Sequence, residues 1–344
     1  AAFKVRQTTT ARTLRALAPP SFHSPAPRVP AVIDADASLV AARRPLVLGI
    51  GGGGDVVGAL ATAEAARLYH GAEPVVGGVA WERMPIDPLP GPRPLDEIEG
   101  GRPLAPHVIA ATGATRVRSN GVLFAESRVA ALIGAETVLV DVTAAPAELA
   151  DGIGAAADAL GCDLLVFVDV GGDVLAHGHE PGLGSPLCDA VMLAAAARLQ
   201  AAGRPVLAGV FGIGCDGELT LPEVNARLAD VARAGGLAGV RGITPPVAEL
   251  LARAVEAVPT EASAMALRAY QGEIGTVAIR GGRRTLELTP AAALTFFLDP
   301  AVTIEATAEL ARAVDGAASL ADANAILRAR GVVTELEWER SRAG

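Results

Sequence analysis

The sequence predicts an α/β protein with a doubly wound, mostly parallel sheet, helices on both faces and an α+β C-terminal extension. Three observations indicate this class. Short apolar runs alternate with segments of helical periodicity between residues 45 and 240. A glycine-rich turn follows the first apolar run. Hydrophobic residues make up 51% of the 344 residues, enough for a large buried core.

Each predicted strand is a short apolar run, and each predicted helix repeats its apolar residues every three to four positions. Right-handed crossovers would place the loops that follow these strands at one edge of the sheet. The predicted strands are 45–50, 74–84, 137–142, 163–170 and 205–214. The predicted helices are 56–71, 146–161, 185–203 and a helix opened by the capping box Thr220–Glu223.

The chain divides into three predicted parts. Residues 1–43 form an N-terminal extension that we expect to be poorly ordered in part, and its first 30 residues carry basic but no acidic side chains. A mitochondrial-type address is the alternative interpretation of this composition. Residues 44–240 form the α/β core. Residues 241–344 form a helical and hairpin subdomain packed on that core, with the hairpin turn at Gly281 and Gly282.

Composition excludes several classes of partner. The net charge is −9 and aromatic residues make up 3%, so no basic, aromatic-lined surface for nucleic acid is expected. No apolar run approaches the roughly 18 residues of a spanning helix, so we expect no membrane partner. Three cysteines without a CxxC pair indicate reduced thiols in the cytoplasm. The expected partner is a small molecule, and a homo-oligomer stays open.

Lysine usage excludes several enzyme classes. Lys4 is the only lysine, and it lies in the N-terminal extension. A P-loop, a pyridoxal phosphate site, a Schiff-base aldolase and a Tyr-x-x-x-Lys dehydrogenase all need a lysine at the active site. Any phosphate must therefore be bound by backbone amides or by arginine.

Three of the predicted strands end in the same way, with glycine followed by acidic residues. They lead into GIGGGGD (49–55), DVGGDVLAHGHE (169–180) and GIGCDGE (212–218). In a doubly wound sheet such loops meet at the carboxyl edge, where these folds bind their ligands. The sequence therefore predicts one pocket that draws its acidic groups from all three loops.

The first loop is the predicted cofactor site. The amides of Gly51, Gly52, Gly53 and Gly54 could point at an anion beside a helix N-terminus. Asp55 would then bind a ribose hydroxyl, an amine or a metal, or it would only cap the helix that follows. Glu82 is predicted to bind hydroxyls. The alternative places the Trp81-Glu82-Arg83 stretch at a solvent-facing strand end.

The other two loops are the predicted source of catalysis. Asp169, Asp173, Glu180 and Asp216 would provide acid/base chemistry or bind Mg²⁺, with Asp169 and Asp173 as the first candidates for a metal. The pair His177-Gly-His179 is the alternative metal site. Cys215 is expected to be a packed apolar residue rather than a nucleophile.

Five further residues are predicted to bind substrate, each with an open structural alternative. The arginines could bind a carboxylate or phosphate, or could be solvated loop residues. Ser185 could instead cap the helix that begins after it. The five residues are Arg93, Arg116, Asn120, Ser185 and Asp189.

Three long motifs, in order, resemble the DUF1152 family of archaea and actinobacteria: GIGGGGDVVGAL, WERMPIDPLPGPRPLDEI and DVGGDVLAHGHEPGLGSPLCDAVML. The resemblance extends from about residue 44 to residue 330. It implies a Rossmann-like fold and an emphasis on Gly, Asp and the stretch Gly91-Pro92-Arg93. It does not include His177-Gly-His179, which makes a histidine metal site less expected. The family name assigns no function, so the resemblance implies none.

Together these features predict an enzyme that binds a nucleotide-like, phosphorylated or polyhydroxylated metabolite. Clustered carboxylates, with or without Mg²⁺, would carry out group transfer or hydrolysis. Two alternatives stay open: an NAD(P)-dependent oxidoreductase and a non-catalytic ligand-binding or regulatory protein. A third interpretation is that the Gly-Asp turns are only tight connections between strands and helices.

Overall fold

The computed structural model describes residues 33–343, so most of the predicted N-terminal extension lies outside the described residues. The helices are α1 (Ala35–Ala41), α2 (Asp55–His70), α3 (Ala125–Ile133), α4 (Pro146–Leu160), α5 (Pro186–Ala201), α6 (Leu221–Arg233), α7 (Pro245–Ala257), α8 (Ala262–Tyr270), α9 (Pro300–Ala306), α10 (Glu309–Val314), α11 (Leu320–Ala329) and α12 (Glu335–Ala343). The strands are β1 (Pro45–Gly49), β2 (Val75–Val79), β3 (Ile98–Glu99), β4 (Arg102–Ala105), β5 (Val108–Ala111), β6 (Arg116–Val117), β7 (Thr137–Val140), β8 (Leu164–Val170), β9 (Val206–Phe211), β10 (Leu237–Gly242), β11 (Gly275–Ile279), β12 (Arg284–Leu288) and β13 (Leu294–Leu298).

The central sheet has nine strands in the order β10-β13-β9-β8-β1-β2-β7-β5-β4. The five strands from β9 to β7 are parallel, with Val47 of β1 paired to Val76 of β2 on one side and to Val166 of β8 on the other. Both edges are antiparallel. The predicted mostly parallel α/β fold is therefore confirmed.

Apolar side chains alternate along the parallel strands and cover both faces of the sheet. In β1, Leu46 and Leu48 join a core formed with α4, α5 and α6, whereas Val47 joins a second core with α2, α3 and α7. Strands buried on both faces must be almost wholly apolar, as the run PLVLG is. Among residues 33–343, none of the helices is both long enough and apolar enough to cross a membrane.

The order of the parallel strands creates a switch point between β1 and β8. From β1 the chain winds through α2 to β2 and then to β7, and it next crosses through α4 to β8 on the other side of β1. The connections on the two sides therefore leave β1 and β8 in opposite directions. The carboxyl ends of the strands at such a switch point are where doubly wound folds bind ligands.

The C-terminal region shares the central sheet. The predicted boundary at residue 240 falls within β10, and β13 from the C-terminal region inserts between β9 and β10. Residues 33–343 lie within one compact unit. The predicted hairpin is present as β11 and β12. The sequence did not predict the short strands β3 to β6, which lie in a stretch that is rich in proline and charge.

The close approach of β1 to α2 requires glycine at position 49. A Cβ there would lie 2.4 Å from the carbonyl carbon of Asp55 and 2.5 Å from the nitrogen of Val56, both backbone atoms that cannot move aside. We expect Gly49→Ala to destabilise the fold by about 3 kcal/mol, through backbone displacement at the start of α2. Urea unfolding monitored by circular dichroism measures this change.

Gly316 provides the matched control. It has no atom within 4 Å of an added Cβ and no positive φ. Gly316→Ala should therefore be neutral, or stabilising by up to about 1 kcal/mol. Equal unfolding free energies for the two variants would show that contact with α2 does not constrain position 49.

Candidate functional site

Three aspartates meet at the switch point. Asp55 is the first residue of α2, Asp169 lies near the end of β8, and Asp189 lies in the first turn of α5. Each contributes a carboxylate oxygen to a group whose members all lie within 4.8 Å of one another. Asp169 and Asp189 are each 1% exposed, and Asp55 is half-buried. We call these three residues the first triad.

Glycine at position 51 allows the three carboxylates of the first triad to lie close together. Its amide donates to Oδ2 of Asp55 at 2.9 Å. A Cβ at this position would lie 2.5 Å from that oxygen and 3.0 Å from Oδ2 of Asp189, so any other residue would force the carboxylates apart. The glycine at 51 therefore makes room for carboxylates.

A second amide of the glycine loop also donates a hydrogen bond within the protein. The amide of Gly53 donates to the carbonyl of Trp81 at 2.9 Å, so the amides of Gly51 and Gly53 both have protein partners. The N-cap of α2 is Gly54, so the alternative in which Asp55 caps a helix starting at Val56 is wrong. The predicted anion site has fewer free amides than its four glycines suggest.

A second triad lies beside the first and consists of Asp173, Asp216 and Glu218, again with one oxygen from each within 4.8 Å. All three are buried. A Cβ at Gly171 would lie 2.2 Å from the Asp216 carboxyl carbon, so glycine is needed here too. The predicted metal ligands Asp169 and Asp173 thus fall in different triads.

Glu218 has a structural role within the second triad. Its carboxylate accepts from the amides of Gly184 (2.7 Å) and Ser185 (2.8 Å) and from the Ser185 hydroxyl (2.6 Å), and it lies 3.1 Å from Nη1 of Arg284. Ser185 occupies the N-cap position of α5, but its hydroxyl donates to Glu218 and does not cap the helix. Ser185 is therefore already paired within the protein.

The centre of the two triads lacks hydrogen-bond donors. Within the described part of the chain, both carboxylate oxygens of Asp169, Oδ1 of Asp189 and Oδ2 of Asp216 are buried without a hydrogen-bond partner. Buried polar groups are almost always satisfied in folded proteins. Four unpartnered carboxylate oxygens in two adjacent triads therefore indicate a missing cationic or hydrogen-bonding partner.

Burial raises the pKa of every aspartate in the two triads. It raises the pKa of Asp55 and of Asp216 to about 7, with the charge of Glu218 adding to the effect at both. Burial raises the pKa of Asp169 well above its ordinary value, and the charges of Asp55 and Asp216 raise it further. Such a cluster holds protons at neutral pH unless a cation replaces them.

Glu180 does not belong to either triad, so the structure does not bring it together with Asp169, Asp173 and Asp216 as predicted. It accepts from the amides of His177, Gly178 and His179 at 2.8 to 3.1 Å, and from Nη2 of Arg227 at 3.1 Å. Burial alone would raise the pKa of Glu180, but these donors lower it to about 2. The carboxylate is thus committed to its own loop.

The histidine pair lies in that same loop. His177, His179 and Glu180 can each bring one ligand atom within 4.8 Å of the others. Nε2 of His177, however, is 3.1 Å from the Thr307 hydroxyl, and the Glu180 oxygens already have their donors. The contacts therefore favour a structural role for this loop over metal binding.

Glu82 forms a separate buried pair with Glu126. Glu82 accepts a hydrogen bond from the amide of Ala125 at the start of α3, and its exposure of 6% corrects the solvent-facing alternative. Burial raises its pKa to about 7. The pKa of Glu126 is raised well above its ordinary value by burial and by the charge of Glu82. The sequence analysis missed Glu126 because its helix lacked a preceding glycine signal.

Three of the predicted substrate-binding residues, Arg93, Arg116 and Asn120, are paired with nearby acidic side chains. Arg93 is buried and pairs with Asp87 at 2.9 Å, and Asn120 donates to the same carboxylate at 2.9 Å. Arg116 pairs with Glu99 at 2.7 Å on the surface. Arg93 and Asn120 therefore organise the segment around Asp87. Asp189, which is also predicted to bind substrate, lies instead in the first triad.

Arg83 is the basic residue that sequence analysis overlooked. Its guanidinium lies 4.1 Å from the centre of the Trp81 ring and donates to the carbonyl of Gly51. Burial alone would lower the pKa of Arg83, but the nearby charge of Glu335 raises it above its ordinary value. The only available signal was its position at the end of the second predicted strand, 74–84.

Helix α12 secures the surroundings of the site. Glu335 accepts from the amides of Leu187 (3.0 Å) and Cys188 (2.8 Å) at the start of α5. Glu339 accepts from the indole of Trp81 (3.0 Å) and the amide of Gly91 (2.7 Å). This helix therefore connects α5, which carries Asp189, to the segment that carries Arg83.

A family model described as "Protein of unknown function (DUF1152)" matches residues 46–343. The match covers the central sheet, both triads and α12, and it confirms the resemblance found in the three sequence motifs. Comparison with curated proteins and with solved structures gave no match.

The raised pKa of Glu82 makes a testable prediction for stability. Its folded pKa of about 7 exceeds the ordinary value of 4.5, so ionisation of Glu82 weakens folding as pH rises from 4.5 to 7. Glu82→Gln removes that ionisation. We expect the variant to gain up to about 3 kcal/mol over the wild type at pH 8 and little at pH 4.5. Chemical unfolding across this pH range measures the difference.

Glu73→Gln serves as the control, since the Glu73 side chain is 83% exposed. Its stability relative to the wild type should hardly change with pH. If both variants followed the same pH dependence, the interpretation of Glu82 as a buried ionising group would be wrong.

Proposed function

The chain belongs to the DUF1152 family, and we propose that this member is a divalent-cation-dependent enzyme acting on a phosphorylated or nucleotide-like metabolite. The observation that carries the proposal is Asp169, whose two carboxylate oxygens are buried without a partner beside Asp55 and Asp189. The reaction class that fits is hydrolysis or group transfer at the switch point between β1 and β8.

The first triad suits a hard cation. Carboxylate oxygens are the ligands that Mg²⁺, Mn²⁺ and Ca²⁺ prefer. Opposite ligands lie about 4.2 Å apart around Mg²⁺ and about 5 Å apart around Ca²⁺, as twice the metal–oxygen distance gives. Oxygens within 4.8 Å of one another can therefore enclose such an ion after only small shifts.

The cation would supply the positive charge that the site needs for an anionic substrate. A bound divalent ion polarises a phosphoryl oxygen and balances the negative charge that develops during transfer. In hydrolysis, the water oxygen bonds to phosphorus as the ester P–O bond breaks. One proton leaves the water and one returns to the departing oxygen. Asp216 would receive the proton, a role supported by its Oδ2, which has no hydrogen-bond partner among the described residues and lies in the adjacent triad.

The contacts favour this proposal over the NAD(P) alternative. A dinucleotide pyrophosphate would bind the loop after β1. In that loop the Gly51 amide already donates to the Asp55 carboxylate, and the Gly53 amide already donates to the Trp81 carbonyl. Glu82, the candidate for the ribose hydroxyls, is buried against the start of α3. The unpartnered oxygens of Asp169 also favour a cation site over a fully satisfied structural cluster.

Asp169→Asn tests the cation site. The substitution preserves size but removes a charged ligand, so we expect Mn²⁺ affinity to fall by about a hundredfold or more. Isothermal titration of the full chain with MnCl₂ measures the affinity. Without cation at pH 8, the variant should unfold at a temperature no lower than the wild type, because a buried unpartnered carboxyl has been removed.

Asp151→Asn is the matched control, since Asp151 is exposed on α4. Its Mn²⁺ affinity should equal that of the wild type. Phosphate release from a panel of nucleotides and sugar phosphates with Mg²⁺ then tests the enzymatic part, with turnover expected for wild type and Asp151→Asn only. Mn²⁺ binding without turnover of any of these compounds would instead support the non-catalytic alternative.

A further inference from the structure

The guanidinium of Arg83 is linked to the first triad through one intervening residue, Gly51. Its Nη2 donates to the carbonyl of Gly51, whose amide donates to Oδ2 of Asp55 at 2.9 Å. A Cβ at Gly51 would lie 3.0 Å from Oδ2 of Asp189. Gly51 is thus placed between a fixed cation on one side and two carboxylates on the other.

Arg83 has a buried nitrogen without a partner. Nη1 is inaccessible to solvent and makes no hydrogen bond to any of residues 33–343. By contrast, in Arg93, whose side chain is 7% exposed against 21% for that of Arg83, Nε, Nη1 and Nη2 all have acceptors. A buried charged donor without an acceptor is unfavourable in a folded protein, so Nη1 is available to donate to an anionic partner.

The rest of the guanidinium is held in place. It lies over the Trp81 ring, and Nη2 is 3.4 Å from Oε1 of Glu335. Glu335 is itself fixed by the amides of Leu187 and Cys188. A preorganised arginine loses little conformational freedom when it binds an oxyanion, which favours phosphate over less directional ligands.

We propose that Arg83 and a cation held by the first triad bind a single oxyanion between them, the phosphoryl group of the substrate. This inference rests on the proposed function, because without a cation the carboxylates of Asp55, Asp169 and Asp189 repel phosphate. The two ligands must therefore strengthen each other's binding. By linkage, phosphate raises Mn²⁺ affinity by the same factor by which Mn²⁺ raises phosphate affinity.

Isothermal titration with MnCl₂, with inorganic phosphate and with each in the presence of the other tests the proposal. For the wild type, we expect phosphate binding to strengthen markedly at saturating Mn²⁺. Arg83→Met should weaken phosphate binding about ten- to hundredfold, as expected for loss of a hydrogen bond to a charged group. Its affinity for Mn²⁺ alone should not fall below that of the wild type, because Arg83 is not a ligand of the triad and loss of its positive charge near Asp55 and Asp189 favours a cation there.

Two further variants keep the test decisive. Arg204→Met is the control, because Arg204 pairs with Asp158 at the surface and should not affect the coupling between Mn²⁺ and phosphate. Arg83→Gln replaces Arg83→Met if the latter does not fold, since its amide can still donate to the Gly51 carbonyl. An affinity for Mn²⁺ alone that is no lower than that of the wild type verifies that the triad is intact in each variant.

The outcomes separate this inference from the proposed function. Mn²⁺ binding with phosphate affinity unaffected by either Arg83 variant would overturn the role of Arg83 and leave the cation site standing. Phosphate binding that is independent of Mn²⁺ would also overturn it. Failure of the wild type to bind Mn²⁺ would overturn the proposed function, and the Arg83 inference with it.

Discussion

Desolvation of carboxylates at the switch point is the constraint on which the rest of this structure depends. A carboxylate removed from water is stable only if it is protonated, paired or hydrogen-bonded. The carboxylates at the edge of this cluster are hydrogen-bonded. Glu218 accepts from two amides and a hydroxyl, and Glu335 accepts from two amides. Both carboxylate oxygens of the central Asp169 are buried and accept no hydrogen bond of ordinary geometry from residues 33–343.

The positive end of helix α5 illustrates this arrangement. A helix N-terminus with free amides is a common site for a phosphate. Here Glu218 takes the amides of Gly184 and Ser185, and Glu335 takes those of Leu187 and Cys188. The helix dipole thus stabilises the protein's own carboxylates. An anionic substrate must find its positive charge elsewhere, and in a chain whose single lysine is Lys4 that means arginine or a cation.

The sequence predicted which acidic residues lie at the site better than it predicted the contacts that each of them makes. The strand–glycine–acid pattern placed Asp55, Asp169 and Asp216 at one edge of the sheet, because period and turn chemistry are local properties. Arg83 was assigned to a solvent-facing strand end because nothing local showed that α12 would cover it. Glu180 looked like its neighbours in the same loop, and only the folded loop shows its carboxylate bonded to nearby amides.

The same limit explains the C-terminal region. The change from strand–helix alternation after residue 241 predicted a helical and hairpin subdomain packed on the core, but it did not predict that β13 pairs with β9 in the central sheet. Antiparallel pairing of a distant strand depends on which sheet edge is open, and local sequence does not encode that. The hairpin of β11 and β12 was predictable because its two strands are adjacent in the chain and its turn carries Gly281 and Gly282.

The position of α12 in the chain has a consequence for how the protein matures. Glu339 bonds to Gly91 across 248 residues of sequence, and Glu335 bonds to Cys188 across 147. During synthesis the sheet and all five aspartates emerge from the ribosome well before this helix. Contacts of such long range form late and close slowly. A nascent chain therefore carries its acidic residues for some time before α12 can fix Arg83 among them.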